Sequence, residues 1–459
     1  MSASFSSPAS SSAPSPKVPR RAILAIAVPA MITNAATGLI GLVDTWVMGQ
    51  TASATLLAAT GMASTAFISL LTLFNVLRMG TIGLTARAHG AEDAAERRAV
   101  LARGLAVAGA LGLVLLLATP LVLGPLLNSF GASETVREGA HTYLAIRWWA
   151  APAVLVNMVL VGWLLGLQRA RTVLAIEVGY NLANAVLSIA LVLGLGMGIA
   201  GLAFTSLTAE FLKLAAALLC VRPHVGLRPL AATLRRKATW NRPALTALFA
   251  VNRDLLLRTL LLMVCIYVLT RTGARLGEVP LAANTVILQF FMLASLVLDG
   301  FEAAAQTLGG AAVGQRDGRR FSALVRGCFQ GAFLASLGIA AIYAFGGPAI
   351  IRSFAKDAAT AAYANQYLIW GIVAQFCGFA SFVFDGIYIG AGWTRQMLLT
   401  MAAGALAFFA GIAALVPWLG NDGLWLAFCL LMMARWLGQW ALYPRLYRTT
   451  FPTPTGVRP

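Results

Sequence analysis

From residue 22 onward the chain alternates long apolar runs with short polar gaps. An α-helix needs about 20 apolar residues to cross the hydrocarbon core of a bilayer. Twelve runs reach that length: 22–49, 53–80, 98–126, 139–167, 171–195, 198–221, 243–272, 279–305, 320–346, 360–391, 396–417 and 421–445. Pro29 in the first run and Pro152 in the fourth are expected kink points, since proline lacks the N–H that the helical ladder uses. The polar, low-complexity start of the chain predicts a disordered tail over 1–20. Arg20 and Arg21 read as a charge anchor at the inner face, because the run that follows is too long for a signal peptide. A basic segment, 222–242, divides the runs six and six, and a second tail is expected over 447–459.

Composition agrees with the pattern. Of 459 residues, 59% are hydrophobic and 11% charged, against roughly 25% charged in a soluble domain. The excess apolar surface has to face lipid, which excludes a soluble enzyme. The net charge of +18 does not point to nucleic acid, because the cations sit in the gaps between runs rather than on one face. With the N-terminus inside, the inner segments hold about 21 Lys and Arg and the outer ones about five (Arg137, Arg271, Arg275, Arg352 and Lys356). That asymmetry orients both termini toward the cytoplasm and requires an even number of spans.

A shift of 224 residues brings one half of the chain onto the other. Tyr143-Leu144 recurs as Tyr367-Leu368, Gly162 and Gly166 as Gly386 and Gly390, Arg171 as Arg395, and Gly90 as Gly314. Six spans per half place both halves in the membrane in the same sense. The expected architecture is an all-α integral membrane protein of 12 transmembrane helices. It consists of an N-terminal six-helix lobe (21–221) and a C-terminal six-helix lobe (243–446), related by a pseudo-two-fold along the membrane normal. Parallel repeats of this kind suit a transporter that rocks about a central cleft.

Ionisable residues inside a span cost about 2.5–3.5 kcal/mol on insertion scales, so each needs a partner or a function. Glu210 and Lys213, at i,i+3, and Asp254 and Arg258, at i,i+4, are expected to neutralise each other. Asp44 has no cation within helical reach and is suited to taking up and releasing a proton, since burial penalises its charged form. Asn181, Asn184 and Ser188 on the fifth span and Ser206 on the sixth offer it a polar network, or serve as ordinary helix–helix glue. Asp385 also lacks a cation on its own helix. Asp299 and Glu302 share a face and either share a proton or borrow a cation. The repeat makes Arg78 the counterpart of Glu302, so an inner gate joining Arg78 to Asp299 or Glu302 is a further expectation.

Trp148 and Trp149 read as an interfacial belt. The five cysteines lie in or beside apolar runs without CxxC spacing and read as buried hydrophobes. The one GxGxxG match, at 196–201, follows no strand and reads as a turn. No catalytic motif is present, and no metal or cofactor is expected.

These residues resemble those of the multidrug and toxic compound extrusion (MATE) transporters, DinF branch. The resemblance runs through GLVDTWVMG, LRMG, GLTARAHGA, IRWWAAPA, LVGWLLGLQRAR, NRDLLLR, YLIW and DGIYIGAG, and covers the chain after residue 20. It implies two six-helix lobes in a V, exporting amphiphilic, often cationic small molecules in exchange for inward H+ or Na+. It also implies that Asp44 is the coupling aspartate of the first helix, with Pro29 where that helix bends. Asn184 matches a polar partner on the fifth helix, and Asn157 a polar position on the fourth. Relatives often carry a second aspartate one turn after that asparagine, where this chain has Ser188. A single carboxylate argues for H+ over Na+, which prefers several anionic oxygens, although Asp385 resembles an aspartate used by Na+-coupled relatives. The expectation is a monomeric, proton-coupled antiporter of the bacterial inner membrane. A lipid or lipid-linked-sugar flippase is the alternative, followed by a membrane scaffold that transports nothing.

Overall fold

The computed structural model describes residues 19–452 apart from 51–52, 129 and 356, and the backbone alone at 37–42, 54 and 227. Most of the N-terminal tail, residues 453–459 of the C-terminal one, and Lys356 lie outside the described residues. The fold is all-α. Its helices are α1 (Arg20–Gly49), α2 (Ala54–Thr72), α3 (Val76–Gly90), α4 (Ala94–Asn128), α5 (Glu134–Arg147), α6 (Ala151–Gly166), α7 (Ala170–Ser188) and α8 (Gly198–Val225). They continue as α9 (Leu227–Arg235), α10 (Arg242–Leu276), α11 (Glu278–Gly314), α12 (Gly318–Phe354), α13 (Ala358–Ala391), α14 (Thr394–Leu419) and α15 (Asn421–Thr450).

Among the described residues, eleven segments are long and apolar enough to cross a membrane, and α1 adds a continuous helix of 30 residues. Their outer faces are greasy: Leu117 and Leu121 on α4 are 70% and 77% exposed, as lipid-facing residues should be. Polar gaps supply the helix starts. Asn241 caps α10, Asp317 caps α12 and Asp357 caps α13, each accepting from the backbone N–H three residues on at 2.8–2.9 Å.

Several helices outrun their apolar cores. The second span extends as α2 and α3 to Gly90, joined by a 3₁₀ turn at Leu73–Asn75. α15 continues through Thr450, into the stretch expected as tail, because Tyr443, Tyr447 and Phe451 gather around the ring of Phe321. Pro152 sits in the first turn of α6, after a 3₁₀ turn at Trp148–Ala150 that breaks the fourth span. Pro29 leaves α1 helical on both sides. Trp148 is not an interfacial residue: it is buried, and its Nε1 donates to the Leu115 carbonyl at 2.8 Å. Trp149 alone is exposed. The glycines of the GxGxxG match do form a turn, with Gly196 and Gly198 at φ +67° and +55°.

The 224-residue shift reappears as a set of equivalent contacts. A Cβ on Gly162 would lie 2.7 Å from the Arg78 carbonyl oxygen, and one on Gly386 2.2 Å from that of Glu302. Gly166 likewise lies against Ile82 and Gly390 against Gln306. α6 therefore packs on α3 as α13 packs on α11. The repeat also meets itself. A Cβ on Gly90 would fall 2.0 Å from the Ala311 oxygen, and one on Gly314 2.1 Å from the Arg87 oxygen. The shift relates Gly90 to Gly314 and Arg87 to Ala311, so the contact is reciprocal, as across a two-fold axis.

Beside it, Arg87 reaches across to the last turn of α13 and donates to the carbonyls of Ile389 (3.3 Å) and Gly390 (2.9 Å). Gln306 Nε2 donates to the Met79 carbonyl at 2.6 Å. One end of the molecule is thereby closed by backbone contact between the halves. Because a side chain at Gly90 can be housed only by moving backbone, Gly90→Val should destabilise this structure by about 1–3 kcal/mol. Thermal unfolding in detergent measures it, and an unchanged melting temperature would contradict the contact.

Candidate functional site

Asp44 lies near the end of α1 and is buried. Ser188, the last residue of α7, donates its hydroxyl to Asp44 Oδ1 at 3.3 Å. No ion pair to Asp44 occurs among the described residues, although the charge of Arg147 reaches it. Immediately after Ser188 the chain makes a π-helical turn, Ile189–Gly194. The Leu195 N–H bonds to Ala190 and that of Met197 to Leu191, instead of to carbonyls four residues back. Such turns inside α-helices gather at functional sites, and this one sets where Ser188 ends its helix. Asn184, one turn earlier, is buried with both amide atoms unpartnered. The Ser206 hydroxyl on α8 and the Asn181 carbonyl oxygen are also unpartnered. Of the expected network, the structure joins Ser188 to Asp44 directly and leaves the other three polar groups without hydrogen bonds among the described residues.

The first half holds a second polar cluster. The Lys213 ammonium pairs with Glu177 on α7 at 2.8 Å and lies 4.7 Å from the Tyr180 ring centroid. The expected Glu210–Lys213 pair does not form. Spacing brings those residues to one face of α8, but a buried acid on the neighbouring helix is the better partner. Glu210 is instead held by Asn157, whose Nδ2 donates to its backbone and carboxylate oxygens, both at 3.1 Å. Asn157 thus serves Glu210, not Asp44. The Arg147 guanidinium rests 4.5 Å from the Phe67 ring centroid.

A third group of charges surrounds a cavity of about 290 Å³ between the halves, lined from α1, α2, α3, α6, α7, α10, α11, α13 and α15. Arg78, Asp299, Glu302, Arg258 and Arg435 all face it. Behind it, Asp385 is buried and fully engaged. Arg258 and Arg435 both donate to its Oδ2, the latter at 2.7 Å, and Gln439 donates to Oδ1 at 2.9 Å. The cations missing from its own helix come from α10 and α15. The expected Asp254–Arg258 pair is therefore absent: Asp254 pairs with its neighbour Arg253 at 2.8 Å and accepts from Thr394. Arg78 is not ion-paired with Asp299 or Glu302 among the described residues; the three share the cavity without closing it.

Glu177, Arg435 and Gln439 belong to these clusters without a spacing in the sequence that marks them, and Arg258 has a partner other than the one its spacing suggests. A lone cation or acid within an apolar run was the available signal, since such a group needs a partner or a role. Among the described residues no group of three His, Cys, Asp or Glu side chains is placed to hold a metal.

A family model described as MatE matches residues 29–190 and 255–411. DNA damage-inducible protein F of Escherichia coli (strain K12) is 37% identical over 431 residues, covering 93% of each chain. Protein DETOXIFICATION 44, chloroplastic, of Arabidopsis thaliana is 26% identical over 451 residues, 92% of this chain and 82% of its own. The fold is similar to a solved structure described as an outward-facing conformation of a multidrug resistance MATE family transporter of the MOP superfamily. Its TM-score is 0.84 at 22% identity, covering 95% of this chain and 97% of that one.

Asp385 also makes a prediction. Removing it leaves two buried guanidiniums facing each other, so Asp385→Ala should cost about 3–5 kcal/mol of stability. Thermal unfolding of the purified variant provides the measurement. A loss below about 1 kcal/mol, the scale of an exposed pair, would show that the clamp contributes little.

Proposed function

The chain belongs to the MatE family, in the branch of DNA damage-inducible protein F, and from that premise we propose that it is a proton-coupled antiporter. It exports amphiphilic small molecules by alternating access. In this reading α1 is the twelfth crossing, and the spans form two six-helix lobes on either side of the 222–242 linker. The protein works as a monomer in a bacterial inner membrane with both termini in the cytoplasm. The end closed by Gly90 and Gly314 is then cytoplasmic, and the cavity belongs to an outward-facing state.

The observation that carries the proposal is the contrast between two buried aspartates. Asp385 is held by two guanidiniums and an amide, whereas Asp44 accepts from one hydroxyl and has no ion pair among the described residues. A carboxylate held that loosely exchanges a proton without breaking a salt bridge. Protonation from outside removes the charge of Asp44 and α1 bends near Pro29, where the Ala25 carbonyl lacks an N–H partner. Ala30 and Asn34 of α1 line the cavity, so the bend narrows it and the cargo leaves.

Protons are favoured over Na+ on the same grounds. Ser188 brings a neutral oxygen beside Asp44, while a hard cation prefers several anionic ones. Asp385 has both oxygens occupied. The three arginines at the cavity favour a second reading, a flippase for lipids with anionic headgroups.

In proteoliposomes, an imposed pH gradient should drive efflux of an amphiphilic dye, a Na+ gradient alone should not, and Asp44→Asn should reduce efflux to the passive leak. Normal ΔpH-driven efflux by that variant would refute the role of Asp44. Gradient-independent movement of headgroup-labelled lipid would replace the antiporter with the flippase.

A further inference from the structure

The coupling reading leaves the cavity charges unused. Arg78 on α3 lines the cavity and makes no ion pair or side-chain hydrogen bond among the described residues. Asp299 and Glu302, one turn apart on α11, line it too and are equally without ion pairs or hydrogen bonds among the described residues. The wall around them is mostly apolar, with Leu262, Ile266, Phe291, Phe382 and Phe428, and is interrupted by polar residues such as Asn75. Unpaired charges in such surroundings are costly. Here a guanidinium without an ion pair and an acid pair that keeps at most one charge cheaply remain around one space, whose volume lies near the lower end of the range for small-molecule pockets. Arg258 and Arg435 reinforce the positive side, since they share the single carboxylate of Asp385.

A simple cation would satisfy the two acids and leave Arg78 unanswered, and a simple anion would do the reverse. We propose that the cavity selects amphoteric amphiphiles. Their anionic group meets Arg78, their amine meets Asp299 and Glu302, and their apolar body lies on the aromatic wall. A guanidinium suits this task because it stays charged and takes a carboxylate or phosphate through two parallel hydrogen bonds. The proposal deepens the antiporter reading by naming its substrate class and rests on that reading for the cargo's export.

Three fluorescent probes isolate the charges: Nε-dansyl-lysine (zwitterion), its methyl ester (cation) and its Nα-acetyl derivative (anion). They are titrated into the full-length chain in detergent, with no gradient. The zwitterion should bind about tenfold more tightly than either derivative, the scale of one charge-assisted hydrogen bond. Arg78→Gln should abolish its advantage over the ester while leaving the ester's affinity within about twofold, since the ester offers Arg78 no anion. Arg78→Lys should restore most of that advantage. Asp299→Asn with Glu302→Gln should abolish the advantage over the acetyl compound. Equal affinities for the three probes, or a uniform loss in Arg78→Gln, would overturn the proposal.

Competition by short-chain phosphatidylethanolamine separates the two sources of this chemistry. Displacement of the zwitterion assigns the subsite to lipid headgroups, and no displacement to a soluble cargo; both support the amphoteric site. Because the readout is equilibrium binding, it fails or succeeds independently of ΔpH-driven efflux.

Discussion

The backbones of α3 and α11 touch at Gly90 and Gly314, and the position of the cavity follows from that touch. Inside a bilayer, apolar side chains gain nothing by leaving lipid for each other, so helices associate where small residues let backbones approach. The reciprocal fit, Gly90 on Ala311 and Gly314 on Arg87, uses the same surface from each half of the repeat. It fixes the register of α3 against α11, and with it the facing of Arg78 toward Asp299 and Glu302 across the cavity. A side chain at either glycine would push the pair apart and unsettle the placement of these groups together.

Within that frame, buried charge is handled in two ways. The groups on Asp385 and Glu177 are closed sets, with each carboxylate met by cations or amides from neighbouring helices. They hold α10, α13 and α15 together, and α7 to α8. Asp44 and three of the cavity charges, Arg78, Asp299 and Glu302, are open: one hydroxyl answers the first, and nothing among the described residues answers the others. Closed sets build the scaffold, and open ones leave buried polar groups whose balance a bound ion or cargo can change.

The sequence made the spans legible because a lipid-facing helix has to be apolar over its whole length. It made the repeat legible because close backbone contact tolerates little besides glycine, so Gly90, Gly162, Gly386 and Gly314 survive in both halves. Partner choice was not legible. Helical spacing identifies neighbours on one helix, so it proposed Lys213 with Glu210 and Arg258 with Asp254. The partners chosen, Glu177 and Asp385, lie on other helices whose rotation is set by packing. Trp148 departs from the interfacial expectation for a related reason: its indole N–H meets a carbonyl on α4, a partner that no spacing in the sequence reveals. The π turn after Ser188 has no periodicity to betray it, since one extra residue changes the hydrogen bonding and not the composition.

Arg87 carries one more implication. Its guanidinium covers the carbonyls of Ile389 and Gly390 in the last turn of α13, where helix carbonyls run short of N–H partners, and Ile389 is otherwise met by the Gly392 N–H of the helix cap. When the halves separate there, those oxygens and the cation must all be rehydrated at once. The rate at which that end opens is thus tied to the arrival of water from the adjoining aqueous phase, making solvent a participant in the transport cycle.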